Sequence, residues 1–258
     1  MTGDGRRARR GIFLAPFDEL ADVHLLADLA ARAEERGWDG VFLWDHIAYD
    51  PPVRAVLDPW IALSAIACAT KRIRLGPLVT PVPRRRVQKL ARETVTLDHL
   101  SRGRLVFGAG LGGDRGGEVS RWGEEMDPRA RATLLDEGLE RLAELWGGGF
   151  EPPPVQRPRA PVWIAAVWPN RRPVRRAARW DGIFPIDLPG PASLAELVGE
   201  VTALRAPASA PFDVVVTNPP GADPAPWEAA GATWCLTGFG SQPRPKDVTA
   251  AIDTPIEP

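Results

Sequence analysis

Histidine and cysteine are scarce in this sequence: its 258 residues contain three histidines and two cysteines. Cys68 and Cys235 stand in otherwise apolar stretches without CxxC spacing, which favours reduced thiols in a cytoplasmic chain over a disulfide framework. Three scattered histidines with no HxH pair do not supply the ligand set of a zinc-type site. We therefore predict no metal centre.

The sequence also lacks an excess of charge of either sign and lacks long apolar runs. Lysine and arginine number 32 against 33 aspartates and glutamates, so no net field draws nucleic acid or an anionic membrane. The first apolar run, "GIFLAPF", is too short and too soon followed by charge for a signal peptide or a membrane span. We therefore expect no nucleic-acid and no membrane partner, and a flexible basic arm at residues 1–10.

The arrangement of apolar runs is the strongest signal. Short runs rich in β-branched and aromatic residues alternate with amphipathic stretches, a pattern typical of βα units and a parallel sheet. Eight such units close naturally into a barrel, and no linker divides the chain. We predict an α/β fold, a single (β/α)8 TIM barrel over residues 11–258 with short insertion loops. Its predicted strands are 11–16, 40–46, 72–80, 104–110, 161–167, 181–186, 212–217 and 232–237.

Helix signals fill the gaps between these strands. The stretch "DVHLLADLAARAEERG" has apolar residues at spacings of three and four, and Gly37 follows as a helix end. Asp58 with Pro59, and Asp127 with Pro128, place an N-cap residue before a proline at the first helical position. Each predicted strand therefore precedes a helix, as a barrel requires.

The second predicted strand ends in the pair Asp45 and His46. Active sites of such barrels lie at the carboxyl ends of the strands, and an imidazole, which titrates at about pH 6.5, suits acid–base chemistry there. Neighbouring strand residues point to opposite sides, so which of the two faces the mouth stays open. A loop histidine that only hydrogen-bonds the backbone is the alternative for His46. His24 and His99 fall within helical patterns, where surface histidines are ordinary.

Three long segments resemble a known family. They read "GWDGVFLWDH", "DPWIALSAIACATKRIRLGPLVTPVPRRRVQKLARETVTLDHLSRGRLVFGAGLG" and "PVWIAAVWPNRRPVRRAARWDGIFP". These are similar, in order, to the bacterial-luciferase-like superfamily of flavin- and deazaflavin-dependent oxidoreductases, from the first strand to about residue 186. The resemblance implies the same barrel and a bound cofactor, coenzyme F420 or FMN.

The resemblance also implies a cofactor site. In similar enzymes the ring rests on a bulge that often contains a non-proline cis peptide, here by position Leu78–Val79, beside Thr80; a plain proline-rich loop is the alternative. The backbone of Gly108 and Gly110 is expected to approach the ring closely. The alternative for these glycines is a turn that needs a positive φ, and this turn role is the one expected for Gly112 and Gly113. The end of the fifth strand and the start of the helix after it would hold a cofactor phosphate. The alternative is that the helix start is a solvated face. The residues expected at this phosphate site are Ala165, Ala166, Asn170 and Arg171.

The Asp–His pair of similar enzymes meets the ring, which makes His46 and Asp45 the expected catalytic residues. Substrate contacts are expected from Phe17, Trp44 and Trp168, near strand ends. The run Arg84 to Arg86 is either a contact for an acidic cofactor tail or a charged surface. Its positive charge opposes the helix dipole, so simple helix stabilisation does not explain it.

The implied activity is hydride transfer, or monooxygenation, with a small organic substrate. The stretch "GGGFEPPPVQRPRA" is shorter than the hairpin common in relatives, which leaves less to exclude water and favours hydride transfer. Homodimerisation, common among relatives, could supply missing walls. A non-catalytic barrel that binds a flavin-like ligand, or none, remains the alternative.

Overall fold

The computed structural model describes residues 7–206 and 210–256, and all eight predicted strands are present in it. The third is divided in two, so nine segments are labelled. The predicted arm lies mostly outside the described residues, at 1–6, and the first strand already begins at Arg9. The strands are β1 (Arg9–Leu14), β2 (Gly40–Leu43), β3 (Arg74–Pro77), β4 (Thr80–Pro81), β5 (Phe107–Gly110), β6 (Val162–Val167), β7 (Gly182–Ile186), β8 (Asp213–Asn218) and β9 (Trp234–Gly238).

All strand pairs of this sheet are parallel, in the order β3-β2-β1-β9-β8-β7-β6-β5-β4. The sheet closes into a barrel where β3 and β4 meet β5. There Leu75 bridges Leu105 in parallel, and Thr80 of β4 pairs with Ala109 of β5. The chain is therefore the predicted (β/α)8 barrel, in which β3 and β4 together make one barrel strand.

Helices connect the strands and cover the outside of the barrel. The predicted caps are confirmed: the Asp58 carboxylate accepts from the Ile61 N–H at 2.9 Å, and Asp127 accepts from the Ala130 N–H at 2.7 Å. No helix in 7–206 or 210–256 is long and apolar enough to cross a membrane. The helices are α1 (Val23–Glu35), α2 (Pro59–Ala69), α3 (Val87–Leu100), α4 (Pro128–Glu144), α5 (Arg171–Ala177), α6 (Pro191–Leu204), α7 (Ala225–Ala229) and α8 (Pro245–Asp253).

Aromatic side chains fill the inside of the barrel. The Trp163 ring lies 5.2 Å from the Phe42 ring and 5.4 Å from the Trp234 ring, between centroids. Glycines make the room: a Cβ on Gly182 would lie 2.5 Å from the Trp163 side chain, and one on Gly40 would lie 2.8 Å from Trp234. This layer is closely packed, and a cavity lies nearer the carboxyl ends of the strands.

The two cysteines differ in exposure, which gives a testable expectation. Cys235 in β9 is 3% exposed, and burial raises the pKa of its thiol to about 11, while Cys68 on α2 is exposed. Since the thiolate is the reactive form, a thiol-specific disulfide reagent at about pH 8 should modify Cys68 alone in the folded chain and both cysteines after unfolding. Rapid modification of both thiols in the folded chain would contradict this.

Candidate functional site

A cavity of about 690 Å³ opens at the carboxyl ends of the strands, within the range of small-molecule sites. Its wall is mainly apolar and comes from strands all around the barrel. Phe13 of β1, Ala165 of β6, Phe184 of β7 and Val216 of β8 line it, and Trp44 follows β2. The cavity therefore lies where the barrel fold predicts a site.

His46 lies on the wall of this cavity with its side chain 20% exposed. Its Nδ1 is 3.0 Å from Oε1 of Glu118, whose side chain is 1% exposed. The other carboxylate oxygen of Glu118 accepts the Ile47 N–H at 3.1 Å and lies 3.0 Å from Nη1 of Arg84. The histidine is thus held by a buried carboxylate, which differs from the backbone-bonded loop histidine that was the alternative.

Glu118 was not predicted from the sequence, because it stands in the loop "GGDRGGE" between β5 and α4. Two neighbouring contacts fix this loop against the segment after His46. Gly116 has φ +59, and a Cβ there would lie 2.4 Å from the Tyr49 carbonyl oxygen, so only glycine fits. The Asp50 carboxylate accepts the Gly116 N–H at 2.7 Å and pairs with Arg115 at 3.2 Å. Gly116 and Asp50 therefore hold the loop in the position at which Glu118 contacts His46.

The protonation state of Glu118 follows from its contacts. Burial works to raise its pKa, but the hydrogen bond and charge of His46, the charge of Arg84 and the Ile47 N–H outweigh burial, and the net pKa is lowered. An ionised carboxylate can only accept hydrogen bonds, so Nδ1 of His46 carries a proton. Nε2 is then the nitrogen left to exchange a proton with a bound molecule.

Replacing Glu118 by glutamine tests this charge. Because its folded-state pKa lies below the ordinary value of 4.5, ionised Glu118 contributes stability that is complete above that value and is lost as the pH falls through the folded-state pKa. Above about pH 5 we expect wild type to have a larger free energy of unfolding in urea than Glu118→Gln. Below about pH 4.5 this difference in free energy should become smaller. Circular dichroism measures both unfolding curves; a gap that is constant with pH would contradict an ionised Glu118.

The Asp45 carboxylate points away from open space, although the residue borders the cavity. It is 0% exposed. It accepts the Thr80 hydroxyl at 2.7 Å and the Trp60 indole N–H at 3.1 Å, and Arg85 donates to both of its oxygens at 2.7 and 3.0 Å. Alternation along the strand end thus buries Asp45 and turns His46 to the cavity. The contacts of Asp45 are those of a residue that positions its neighbours.

Two of the three residues of the arginine run have neither of the placements that the sequence left open. The Arg84 side chain is 6% exposed between Glu118 and Asp45, and Arg85 is 21% exposed on Asp45. Both are committed to buried carboxylates, so they form neither a solvated surface nor a free contact for an acidic tail. Arg86 alone is exposed, at the N-cap of α3.

The peptide bond between Leu78 and Val79 is cis, as predicted, and both side chains line the cavity. The two glycines predicted to approach the ring are closely surrounded by this bulge. A Cβ on Gly108 would lie 2.3 Å from the Pro77 carbonyl oxygen, and one on Gly110 would lie 2.6 Å from Val79 Cγ2. Neither has a positive φ. These glycines therefore make room for the bulge.

The remaining predicted residues divide between the cavity and its surroundings. Ala165 and Asn170 line the cavity, whereas Ala166 is 1% exposed in the core between barrel and helices. Arg171 pairs with Glu196 and Glu200 on α6 and stacks 4.5 Å from the Trp168 ring.

Phe17 is 0% exposed, behind Trp44 and Tyr49, with ring centroids 6.0 and 5.2 Å away. Of the three predicted substrate contacts, Trp44 is the one that the structure brings to the cavity wall.

Fold and cavity together define a (β/α)8 barrel protein with a cavity of small-molecule size at the carboxyl ends of its strands. The chain belongs to the luciferase-like monooxygenase family, whose model matches residues 9–235. It is 36% identical over 153 residues to limonene 1,2-monooxygenase from Rhodococcus erythropolis, which covers 57% of this chain and 38% of that protein. It is 37% identical over 130 residues to an F420-dependent glucose-6-phosphate dehydrogenase from Nakamurella multipartita, covering 48% and 37%.

These matches span about two fifths of each relative's length. Among solved structures, an F420-dependent secondary alcohol dehydrogenase in complex with an F420-acetone adduct superposes with a TM-score of 0.77, at 16% identity, over 97% of this chain and 98% of that one. The monooxygenase RslO1 from Streptomyces bottropensis gives a TM-score of 0.71 at 18% identity, over 95% and 96%. At these identities the likeness shows the fold.

Proposed function

We propose that this chain is an oxidoreductase that binds coenzyme F420 or FMN in the cavity and transfers a hydride between the ring and a small organic molecule. His46 is the proton donor or acceptor in this proposal. The observation that carries it is the contact of His46 with the buried Glu118 carboxylate on the wall of an apolar, cofactor-sized cavity. Relatives of 36% and 37% identity include both a monooxygenase and an F420-dependent dehydrogenase, so both activities stay in the proposal.

The residues of the cavity fit a flat conjugated ring. Leu78, Val79 and Ala165 offer small apolar side chains for its face. A Cβ on Gly113 would meet nothing within 4 Å, so the backbone of this loop can approach a ring directly. Asn170 is exposed on the cavity rim, where it can hydrogen-bond the polar chain that carries the phosphate.

His46 and Glu118 supply what the ring cannot. A reduced ring, when bound, supplies the hydride. Conversion of a carbonyl to an alcohol also needs a proton at the oxygen, and the reverse reaction needs a base there. Nε2 of His46 gives or takes that proton, while Glu118 fixes the other ring nitrogen and so orients the imidazole.

Hydride transfer fits this mouth better than oxygenation. Val167 lines the cavity and is 47% exposed, and His46 is 20% exposed, so water reaches the site. A reactive oxygenated cofactor needs a site that excludes water. We therefore keep monooxygenation as the second activity to assay.

A visible absorption titration tests the proposal. FMN and F420 are added separately to the chain, bound cofactor is isolated by gel filtration, and bleaching by a reductant is followed. We expect one of the two to be retained and to be reoxidised by a small ketone or aldehyde. Retention of neither would overturn the proposal, and retention without turnover on a broad panel of carbonyls and alcohols would favour the non-catalytic flavin-binding barrel.

The proposal also includes a cytoplasmic homodimer. Two free cysteines, one of them exposed, suit a reducing compartment. Exposed apolar side chains near the mouth suit a second copy: Ile47 is 46% exposed and Trp122 is 63% exposed. Sedimentation velocity of the purified chain tests the dimer, and a monomer at micromolar concentration would remove it.

A further inference from the structure

Four charged side chains and His46 form one connected cluster beneath the wall of the cavity. Asp45 and Glu118 contribute two carboxylates with 0% and 1% exposure. Arg84 stands between them, 3.0 Å from Glu118 and 3.7 Å from Asp45, and Arg85 contacts Asp45 at 2.7 Å. With a neutral imidazole these charges cancel. Balance matters here because buried unpaired charge is costly.

Arg84 contributes to this cluster mainly through its positive charge and less through hydrogen bonds. Neither of its terminal nitrogens has a well-aligned hydrogen bond within the described part of the chain, although Nη1 lies at ion-pair distance from Glu118. Its guanidinium, 6% exposed, is screened little by solvent. The start of α3 does not explain a cation in this place, since positive charge at a helix start opposes the dipole.

We propose that Arg84 is a positioning residue that balances the Glu118 carboxylate, so that His46 can both gain and lose a proton during turnover. Without the Arg84 cation the cluster would carry one net negative charge, and that charge would favour the imidazolium form of His46 more strongly. With Arg84 present, the carboxylate shares its charge between the guanidinium and the ring. The role in turnover rests on the proposed function, whereas the charge balance belongs to the chain alone.

Other charged groups face this cluster and belong to its description. Tyr49 packs edge-on to His46 at 5.0 Å between ring centroids, and the Arg115–Asp50 pair lies at the surface beside it. Glu124 and Arg131 border a small cavity of about 10 Å³ on the side of Arg84. Burial raises the pKa of Glu124, so this carboxyl competes less for Arg84 than Glu118 does.

Nuclear magnetic resonance of the cofactor-free chain tests the charge balance. The chain has only three histidines, so the His46 ring signals can be assigned by mutation and titrated in wild type, Arg84→Met and Arg84→Gln. We expect loss of the Arg84 charge to move the midpoint of the His46 titration to higher pH by about one unit, a tenfold gain in proton affinity. Arg84→Lys, which keeps the charge, should stay near wild type.

Two controls make the result specific. Arg86→Met removes the neighbouring exposed arginine and should leave the midpoint unchanged. In the Glu118→Gln background the His46 midpoint should lie below that of wild type, and adding Arg84→Met should bring it back toward wild type, because the carboxylate and the guanidinium act on the ring with opposite sign. No downward shift in folded Glu118→Gln, or no upward shift in folded Arg84→Met or Arg84→Gln, would overturn the proposal.

Wild type alone provides a measurement that needs no variant to fold. The Glu118 side-chain carboxyl carbon should show an ionised carboxylate throughout the pH range in which His46 titrates, and protonation of Glu118 within that range would overturn the charge balance. None of these readouts uses a cofactor. Failure of the chain to bind FMN or F420 would therefore remove the proposed function and leave the charge balance standing.

Discussion

His46→Ala should lower kcat by about 10²- to 10⁴-fold while the dissociation constant of the cofactor changes less than about twofold. In the proposed function the imidazole on the cavity wall exchanges a proton through Nε2, while Glu118 holds Nδ1 at 3.0 Å. Removing it takes away acid–base assistance and leaves the apolar surface at Leu78 and Val79 intact. Steady-state oxidation of the reduced cofactor, on the best substrate from a carbonyl panel, measures kcat.

His24→Ala is the matched control, because His24 is exposed at the start of α1 and does not line the cavity. It should leave both constants unchanged. If His46→Ala weakened cofactor binding strongly and kept kcat, the imidazole would be a binding group and the proton-transfer role would be wrong. Glu118→Gln should give a smaller loss of kcat than His46→Ala, since the ring remains but loses its orientation.

The barrel could be predicted from the sequence because its signals are local. Apolar runs mark the strands, and caps such as Asp58 followed by Pro59 mark helix starts. Each element can therefore be recognised from a few consecutive residues. The break of the third strand at Leu78–Val79 does not show in the apolar pattern of 72–80. It was predicted in its place only through the resemblance to a known family.

Without the resemblance to a known family, the site could be predicted only where one residue type stood out. His46 did, as a lone imidazole at a strand end. Glu118 did not, because it lies 72 positions away in a glycine-rich loop whose course is set by tertiary contacts. The arginine run was visible, yet its burial depends on two carboxylates that other parts of the chain bring to it. Pairings between distant elements carry no local signal, and such pairings build this site.

Asp45→Ala should destabilise the fold by about 3–5 kcal/mol, the usual cost of removing one partner from a buried charge cluster. The change leaves the Thr80 hydroxyl, the Trp60 N–H and the Arg85 guanidinium without their acceptor, in a place where the Asp45 side chain is 0% exposed. A loss of this size is a large fraction of the 5–15 kcal/mol that is typical of folded domains. Urea unfolding followed by circular dichroism measures it.

Asp28→Ala on the exposed face of α1 is the control and should stay within about 0.5 kcal/mol of wild type. The paired measurement also decides between two roles for Asp45. If it positions its neighbours, stability and turnover fall together, and Asp45→Asn, which keeps the shape and one acceptor oxygen, recovers part of both. If Asp45→Ala lost less than about 1 kcal/mol and yet abolished turnover, the carboxylate would act in the chemistry itself, and its burial would have to be relieved when a ligand binds.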